Sequence, residues 1–163
     1  MRVLADSHVL VFYLFTPDRL SEPALEALGE AEDDAGIVIS VATIGDLWYA
    51  SHKRGSNSLA PGAFESLRRT VLDPTTNFDI VPITADTMEY FDRVPLVELT
   101  DPFDRLILAT AAQQCLPLVT ADRAMSKTGV VSVIRWRTRC EIIDARPRRV
   151  CRLRGGHHGD AVL

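Results

Sequence analysis

The sequence has little cysteine, no long apolar run and no CxxC pair. Its 163 residues include three cysteines, Cys115, Cys140 and Cys151. So few thiols, in an odd number, argue against a disulfide framework and a thiolate zinc site and favour a reducing cytoplasm. The longest apolar run, Val9 to Phe15, is too short to span a bilayer. We therefore expect a cytoplasmic protein without a membrane segment.

Charge is unevenly distributed along the chain. Lysine and arginine total 18 against 22 aspartate and glutamate residues, a net charge of −4. Residues 137–163 contain seven arginines and three acidic residues, a net +4, which leaves −8 on residues 1–136. We therefore divide the chain into one globular domain, residues 1–136, and a basic, mobile C-terminal extension, residues 137–163. An acidic body binds nucleic acid poorly on its own, so nucleic-acid chemistry in it requires cations held by clustered acids.

Short apolar runs alternate with helical patterns along the first 136 residues. The predicted strands are Arg2–Ala5, Ile37–Ile39, Ile80–Val81, Leu118–Val119 and Val131–Ile134. The predicted helices are Val9–Phe15, a helix that starts at Ser21, Thr43–Lys53, Ala63–Leu72, Asp86–Arg93 and Asp101–Gln114. Strands that alternate with helices pair in parallel. The sequence therefore predicts an α/β fold with a short central, mainly parallel sheet of about five strands and helices on both faces.

Four aspartates occupy positions that such a sheet brings to one edge, because sites form beyond the carboxyl ends of parallel strands. Each follows a predicted strand or lies in the first turns of a helix: Asp6, Asp46, Asp104 and Asp122. Convergent carboxylates repel one another, and no matching set of lysines stands at these positions. Oxygen ligands favour Mg²⁺ or Mn²⁺. Hydroxyl groups that would orient the carboxylates and waters are Ser7, Ser40, Thr43 and Thr120.

Each acid also has an ordinary structural explanation. Asp6 and Asp101 suit helix N-caps, Asp104 suits the helix dipole, Asp46 suits a solvated helix face and Asp122 suits a turn. The conjunction of the four, more than any single residue, favours a metal site.

Three other α/β classes lack their required residues. A dinucleotide-binding oxidoreductase needs GxGxxG after the first strand, and the sequence has none. A phosphotransferase of the haloacid dehalogenase kind needs a second Asp at the position of His8. A receiver domain needs an acceptor Asp after a middle strand, where Ser40 stands, and a late Lys, where Thr120 and Ala121 stand.

Four segments resemble the motifs of PIN-domain ribonucleases and, within them, of VapC-type toxins from toxin–antitoxin pairs. Val3–His8 resembles the first motif, an apolar strand that ends in Asp before a small hydroxyl residue. Ser40–Asp46 has the spacing of the second motif, Asp101–Ala109 is similar to the third and most distinctive one, and Leu118–Asp122 resembles the fourth. The motifs follow in the family order across residues 2–136.

The resemblance implies an α/β/α sandwich and a cytoplasmic endoribonuclease in which metal-activated water hydrolyses RNA phosphodiester bonds. Mg²⁺ or Mn²⁺ would be held at a site formed by Asp6, Asp46, Asp104 and Asp122. Asp6 and Asp104 would be the main direct ligands, with Asp101 as an outer acid. The resemblance also implies a homodimer and a cognate VapB-type antitoxin that places a basic side chain in the acidic pocket. The identity of the RNA cannot be read from these motifs.

Two neighbouring residues depart from the family pattern. Asp46 stands where the family usually has Glu, and Gly45 replaces a bulky residue. Asp is one methylene shorter, so its carboxylate would reach a metal through water. The alternative function is therefore a PIN-fold protein that binds RNA or its antitoxin but cleaves weakly or not at all.

Basic and aromatic side chains near the motifs are candidate RNA contacts. The candidate phosphate contacts are Lys53, Arg54, Arg105 and Arg123. Trp48 and Tyr49 follow Asp46 and would either stack on a base or pack in the core or a dimer interface.

Overall fold

A five-stranded parallel sheet forms the centre of the molecule. The computed structural model describes residues 1–53 and 59–135. The strands are β1 (Val3–Ala5), β2 (Ile37–Ser40), β3 (Phe78–Val81), β4 (Leu118–Thr120) and β5 (Val133–Arg135). They pair in the order β3-β2-β1-β4-β5, and every pair is parallel. The predicted sheet is confirmed, whereas the predicted extension, residues 137–163, and Arg54 lie outside the described residues.

Helices connect these strands. They are α1 (Ser7–Phe15), α2 (Glu22–Asp33), α3 (Val41–His52), α4 (Ala63–Leu72), α5 (Ala85–Phe91), α6 (Pro102–Gln113) and α7 (Arg123–Lys127). A 3-10 turn, Pro17–Arg19, lies between α1 and α2. The six predicted helices are confirmed at nearly the predicted bounds. The sequence did not predict α7, because five residues are too few to show a helical period.

The sheet is covered on both faces, which gives the predicted α/β/α sandwich. Successive residues of a strand point to opposite faces, so Val3 packs into one apolar cluster and Leu4 into the other. Leu28 of α2 belongs to the cluster of Val3, and Ile107 of α6 belongs to the cluster of Leu4. All four side chains are fully buried, so the hydrophobic effect holds helices on each face of the sheet.

The strand order places a crevice at the end of β1. The chain runs from β1 outward through β2 to β3, and then returns to the other side of β1 as β4. Ligands of open α/β sheets bind at such a change of direction, beyond the carboxyl ends of the strands. Ala5 pairs with Val119, so Asp6 and Thr120 leave the sheet side by side. No helix among the described residues is long and apolar enough to cross a bilayer.

Candidate metal centre

Asp6 is buried at the end of β1, where it serves as the N-cap of α1. Its carboxylate accepts a hydrogen bond from the Ser7 backbone N–H at 2.6 Å and one from Thr120 Oγ1 at 2.6 Å. Burial raises the pKa of Asp6, and the negative charge of Asp122 adds to the rise. The hydrogen bond from Thr120, the charge of His8 and the Ser7 amide oppose it. Asp6 is therefore a buried acid held in one orientation by two donors.

The hydroxyl of Thr120 links the two acids that follow β1 and β4. While it donates to Asp6, it accepts a hydrogen bond from the Asp122 backbone N–H at 2.9 Å. The Asp122 carboxylate caps α7, accepting from the backbone N–H groups of Ala124 and Met125. The turn residue expected at position 122 is thus a helix cap. Thr120 holds Asp6 and Asp122 in a fixed relation.

Asp104 lies half-buried in the first turn of α6. Asp101 caps this helix, accepting from the Phe103 and Asp104 backbone N–H groups at 2.8 and 3.4 Å. Burial raises the pKa of Asp104, and the charges of Asp6, Asp101, Asp122 and Asp46 add to the rise, in that order of effect, so that the pKa reaches about 7. The charges of the three other predicted acids and of Asp101 therefore all reach the Asp104 carboxyl. Asp101 is therefore the N-cap of α6, and its charge acts on Asp104.

The second motif lies at the start of α3. Asp46 is half-buried, whereas Ser40 and Thr43 are fully buried. The Ser40 side chain caps α3 through the Ala42 N–H and exchanges a 2.9 Å hydrogen bond with Thr110 Oγ1 of α6. Ser40 therefore fastens α3 to α6. Thr110 was not predictable from the sequence, because its only signal is a hydroxyl on the apolar face of a helix.

Two buried hydroxyls next to these acids have no hydrogen-bond partner. They are Ser7 Oγ, beside Asp6, and Thr43 Oγ1, one helical turn before Asp46. Their side chains are 1% and 0% exposed. Buried polar atoms in native proteins are nearly always satisfied, so such a pair beside four acids fits the surroundings of a hydrated ion.

The donor set suits a hard divalent cation that retains waters. The ion pairs in the part of the chain that the structure describes join Met1 to Asp34 and Arg2 to Asp79, so neither neutralises the cluster. Within the same part, no three His, Cys, Asp or Glu side chains are grouped closely enough to bind a metal as a set. Mg²⁺ usually binds through one or two carboxylates, waters and a substrate phosphate. The residues therefore fit a hydrated ion and do not form a dry protein cage.

An open cleft of about 290 Å³ contains two of the acids, Asp6 and Asp122. It is lined by Asp6, His8, Phe12, Ala121 and Asp122. The His8 side chain is exposed, and its charge lowers the pKa of Asp6. The cleft therefore combines a buried carboxylate with an apolar wall and one titratable base.

Of the four basic residues predicted to contact RNA, Arg105 requires correction. Its side chain is only 6% exposed, and its guanidinium donates to the backbone oxygens of Leu99 at 3.3 Å and Phe91 at 3.1 Å. It also lies over the Phe91 ring, 4.4 Å from the ring centre. Arg105 therefore holds the segment after α5 against α6 and is not free to bind phosphate. Lys53 and Arg123 are exposed.

An exposed run of aromatic rings crosses α3 beside the acids. Trp48 and Tyr49 are 44% and 51% exposed, so neither is a core residue. The Tyr49 ring lies 5.5 Å from Phe103 on one side and 5.1 Å from Trp48 on the other, and Trp48 stacks on His52 at 4.2 Å. We call these four rings the aromatic run: Phe103, Tyr49, Trp48 and His52. Exposed aromatic rings of this kind are typical of surfaces that contact a partner.

Comparison with known proteins identifies relatives of this chain. The family model for the PIN domain matches residues 3–131. Ribonuclease VapC22 of Mycobacterium tuberculosis (strain ATCC 25618 / H37Rv) is 33% identical over 123 residues, which cover 76% of this chain and 88% of that protein.

Solved structures share the fold. VapBC2 from Rickettsia felis, bound to a DNA fragment from its promoter, aligns with a TM-score of 0.63 at 16% identity over 84% of this chain and 100% of that one. DNA-bound VapBC from Salmonella typhimurium aligns with a TM-score of 0.61 at 15% identity over 83% and 98%. FitAB bound to a DNA fragment aligns with a TM-score of 0.59 at 18% identity over 83% and 94%. At these identities the likeness concerns the fold.

Proposed function

This chain belongs to the PIN-domain family, and from that premise we propose that it is a VapC-type toxin, an endoribonuclease that uses Mg²⁺ or Mn²⁺ at Asp6, Asp46, Asp104 and Asp122. One observation carries the proposal: the charges of the three other acids all raise the pKa of Asp104. Carboxylates that destabilise one another in a cleft need a cation or a proton between them. We further propose that the protein acts in the cytoplasm on RNA.

A bound divalent ion supplies Lewis-acid activation of water and of the scissile phosphate. Asp6 and Asp104 would hold it, since the first is fixed by two hydrogen bonds and the second gives up a proton when the ion binds. Asp122 and Asp46 would contribute through waters, and the free hydroxyls of Ser7 and Thr43 would orient those waters. Lys53 and Arg123, both exposed, would steer RNA phosphates toward the acidic cleft.

A VapB-type antitoxin is the proposed protein partner. The cleft that contains Asp6 and Asp122 has apolar walls at Phe12 and Ala121, a combination that suits an apolar segment carrying one basic side chain. Such a side chain would compete with the metal for the same carboxylates. Inhibition would then follow from simple occupancy of the acidic site.

A homodimer is the proposed assembly, with the aromatic run as its contact surface. Trp48 and Tyr49 expose large apolar area on one side of α3, and large exposed aromatics are typical of interface cores. The run begins at Phe103, the neighbour of Asp104, so a dimer formed there would border both active sites.

The nuclease proposal is tested with the full chain, purified free of any antitoxin and incubated with total cellular RNA. Reactions contain Mg²⁺, Mn²⁺ or EDTA, each with wild type, Asp104→Ala and the control Asp92→Ala. Asp92 is an exposed acid at the end of α5, away from the cleft. We expect discrete cuts that require metal, disappear in Asp104→Ala and persist in Asp92→Ala. Cuts that survive in Asp104→Ala would refute the site.

The second candidate is an RNA-binding or antitoxin-binding protein with weak cleavage. It is favoured by Asp46, whose charge has the smallest effect of the four acids on the pKa of Asp104. Under this alternative, wild type binds RNA without cutting it under either metal, and Asp46→Glu gains cleavage. If cleavage by wild type is already efficient and Asp46→Glu does not increase it, this alternative is wrong.

A further inference from the structure

Gly45 of α3 lies directly against the ring of Phe103 of α6. A Cβ atom placed on Gly45 would be 3.0 Å from Phe103 Cε1, 3.7 Å from Cδ1 and 3.8 Å from Cζ. Nonbonded carbon atoms prefer about 3.5–4.0 Å, so any other residue at position 45 would push the ring or the helix away. Glycine inside a helix lowers helix stability relative to alanine, and the close packing of α3 against Phe103 offsets that loss here.

This contact adjoins the predicted metal-site acids of both helices, Asp46 of α3 and Asp104 of α6. Gly45 precedes Asp46, and Phe103 precedes Asp104. The Phe103 ring also contacts the Tyr49 ring, one turn after Gly45 on α3, and the Phe103 backbone N–H donates to Asp101 Oδ1 at 2.8 Å. The ring therefore packs against the Gly45–Tyr49 side of α3 and lies between the two helices.

A second contact fixes the same helices at the buried end. Ser40 Oγ and Thr110 Oγ1 share a 2.9 Å hydrogen bond, and Thr110 Oγ1 donates to the Leu106 backbone oxygen at 2.7 Å. Because α3 and α6 are joined at this end, the distance between them near Asp46 and Asp104 depends on the size of the side chains at positions 45 and 103.

We propose that Gly45 and Phe103 are positioning residues for the metal site, and that the missing side chain at position 45 brings α3 close enough to α6 for the short Asp46 side chain to serve the ion. This inference rests on the proposed function. An Asp side chain is one methylene shorter than Glu, so a small outward shift of α3 takes the Asp46 carboxylate out of reach of the ion. Asp6 and Asp122 are not moved by that shift, because they adjoin other elements.

The test is Mn²⁺ binding to the full chain without RNA, measured by titration calorimetry. We expect Gly45→Ala to weaken Mn²⁺ binding about 10-fold, as is typical when a residue that positions a ligand is lost. The matched control is Gly29→Ala, since Gly29 also lies in a helix and a Cβ there meets nothing within 4 Å. We expect its Mn²⁺ affinity to equal that of wild type.

Two second-site changes distinguish positioning from general damage. In the Gly45→Ala background, Phe103→Leu removes the ring edge that the new methyl group meets, and Asp46→Glu lengthens the displaced carboxylate. Both should restore Mn²⁺ affinity to near the wild-type value. If Gly45→Ala does not fold, Phe103→Leu alone is compared with the double variant, which should bind Mn²⁺ more tightly because the methyl group fills the space left by the ring.

The outcomes separate this inference from the proposed function. Mn²⁺ binding by wild type that is unchanged in Gly45→Ala overturns the inference and leaves the metal site intact. A loss in Gly45→Ala that neither second change restores also overturns it, because the effect is then structural damage. No Mn²⁺ binding by wild type, together with no cleavage, refutes the proposed function and with it the inference.

Discussion

At the scale of single residues, Asp104 links the stability of the protein to pH. Its pKa rises from an ordinary 3.8 to about 7 through burial and the surrounding acids. Between these two values the unfolded chain loses the proton while the folded chain retains it. The folded state then binds more protons, so the free energy of unfolding of the metal-free protein decreases as pH rises from about 4 to about 7.

We therefore expect Asp104→Asn to stabilise the metal-free protein at neutral pH. The gain should be about 1–2 kcal/mol after allowance for solvent screening of a half-buried carboxyl, and it should vanish near pH 4. Urea unfolding in EDTA at several pH values measures it for both proteins. Equal pH slopes for wild type and Asp104→Asn would contradict the assignment. In Mg²⁺ the order should reverse, because only wild type gains binding energy from the ion.

Thr120 provides a second prediction at this scale. Its hydroxyl donates to the buried Asp6 carboxylate and accepts from the Asp122 N–H. Thr120→Val keeps the shape and removes both bonds, so we expect a loss of about 1.5–3 kcal/mol and weaker Mn²⁺ binding. Thr120→Ser retains the hydroxyl and should keep the Mn²⁺ affinity. Urea unfolding and titration calorimetry measure the two effects, and equal behaviour of the Val and Ser variants would contradict the role.

Residue types at motif spacing were enough to select acids whose charges act on Asp104 in the structure, because strand ends share one edge of a parallel sheet. The same reasoning failed for Arg105. Its neighbours in sequence are site residues, but its side chain turns toward Leu99 and Phe91, which are brought to it by the path of the chain after α5. Sequence proximity to Asp104 carried no information about that direction.

At the scale of elements, Arg105 fastens the segment after α5 to α6. Arg105→Leu leaves the Leu99 and Phe91 carbonyl oxygens without a donor, so we expect a loss of about 2–4 kcal/mol in unfolding free energy. Arg123→Leu removes an exposed charge and should change stability by less than about 0.5 kcal/mol.

Substitutions of Arg123 and Arg105 should differ in their effect on RNA binding. Arg123→Leu should weaken binding to RNA and reduce its salt dependence, since Arg123 is a proposed phosphate contact. Arg105→Leu should leave the salt dependence unchanged at temperatures where the variant is folded. Filter binding at several salt concentrations gives the slopes, and a reduced slope for Arg105→Leu would restore it as an RNA contact.

Helix bounds were predictable where polar caps mark them. Asp101 before Pro102 predicts the start of α6, and the structure confirms that Asp101 is its N-cap. The helix predicted to begin at Thr43 begins at Val41, because Ser40 caps it directly after β2. The helix α7 went unpredicted because Asp122, its cap, precedes only five helical residues. Short helices depend on tertiary packing, which a sequence period does not report.

At the scale of the whole molecule, strand order determines the site. The alternation of strands and helices predicts parallel pairing, but it does not state that β4 returns to the free side of β1. That return makes Asp6 and Asp122 neighbours although they lie far apart in sequence. Strand order is decided by how the two apolar clusters pack, so it could be read only from the structure.

Self-association is the prediction that belongs to this scale. If the aromatic run is the dimer contact, Trp48→Glu combined with Tyr49→Glu places charges in a desolvated interface, where they are costly, and the protein should become monomeric. Leu72→Glu is the matched control, because Leu72 is 58% exposed on α4 and lies outside the run. Light scattering coupled to size exclusion gives the mass of each variant.

The same pair of substitutions separates a dimer contact from an RNA-stacking surface. A monomeric double variant, with Leu72→Glu still dimeric, supports the dimer contact. Charges on the aromatic run would break the dimer only if the rings are buried against a second copy. If the double variant remains dimeric but binds RNA more weakly, the rings stack on bases instead. If wild type is monomeric at all concentrations, the dimer proposal is wrong, and the exposure of Trp48 and Tyr49 must then be explained by RNA or by the antitoxin.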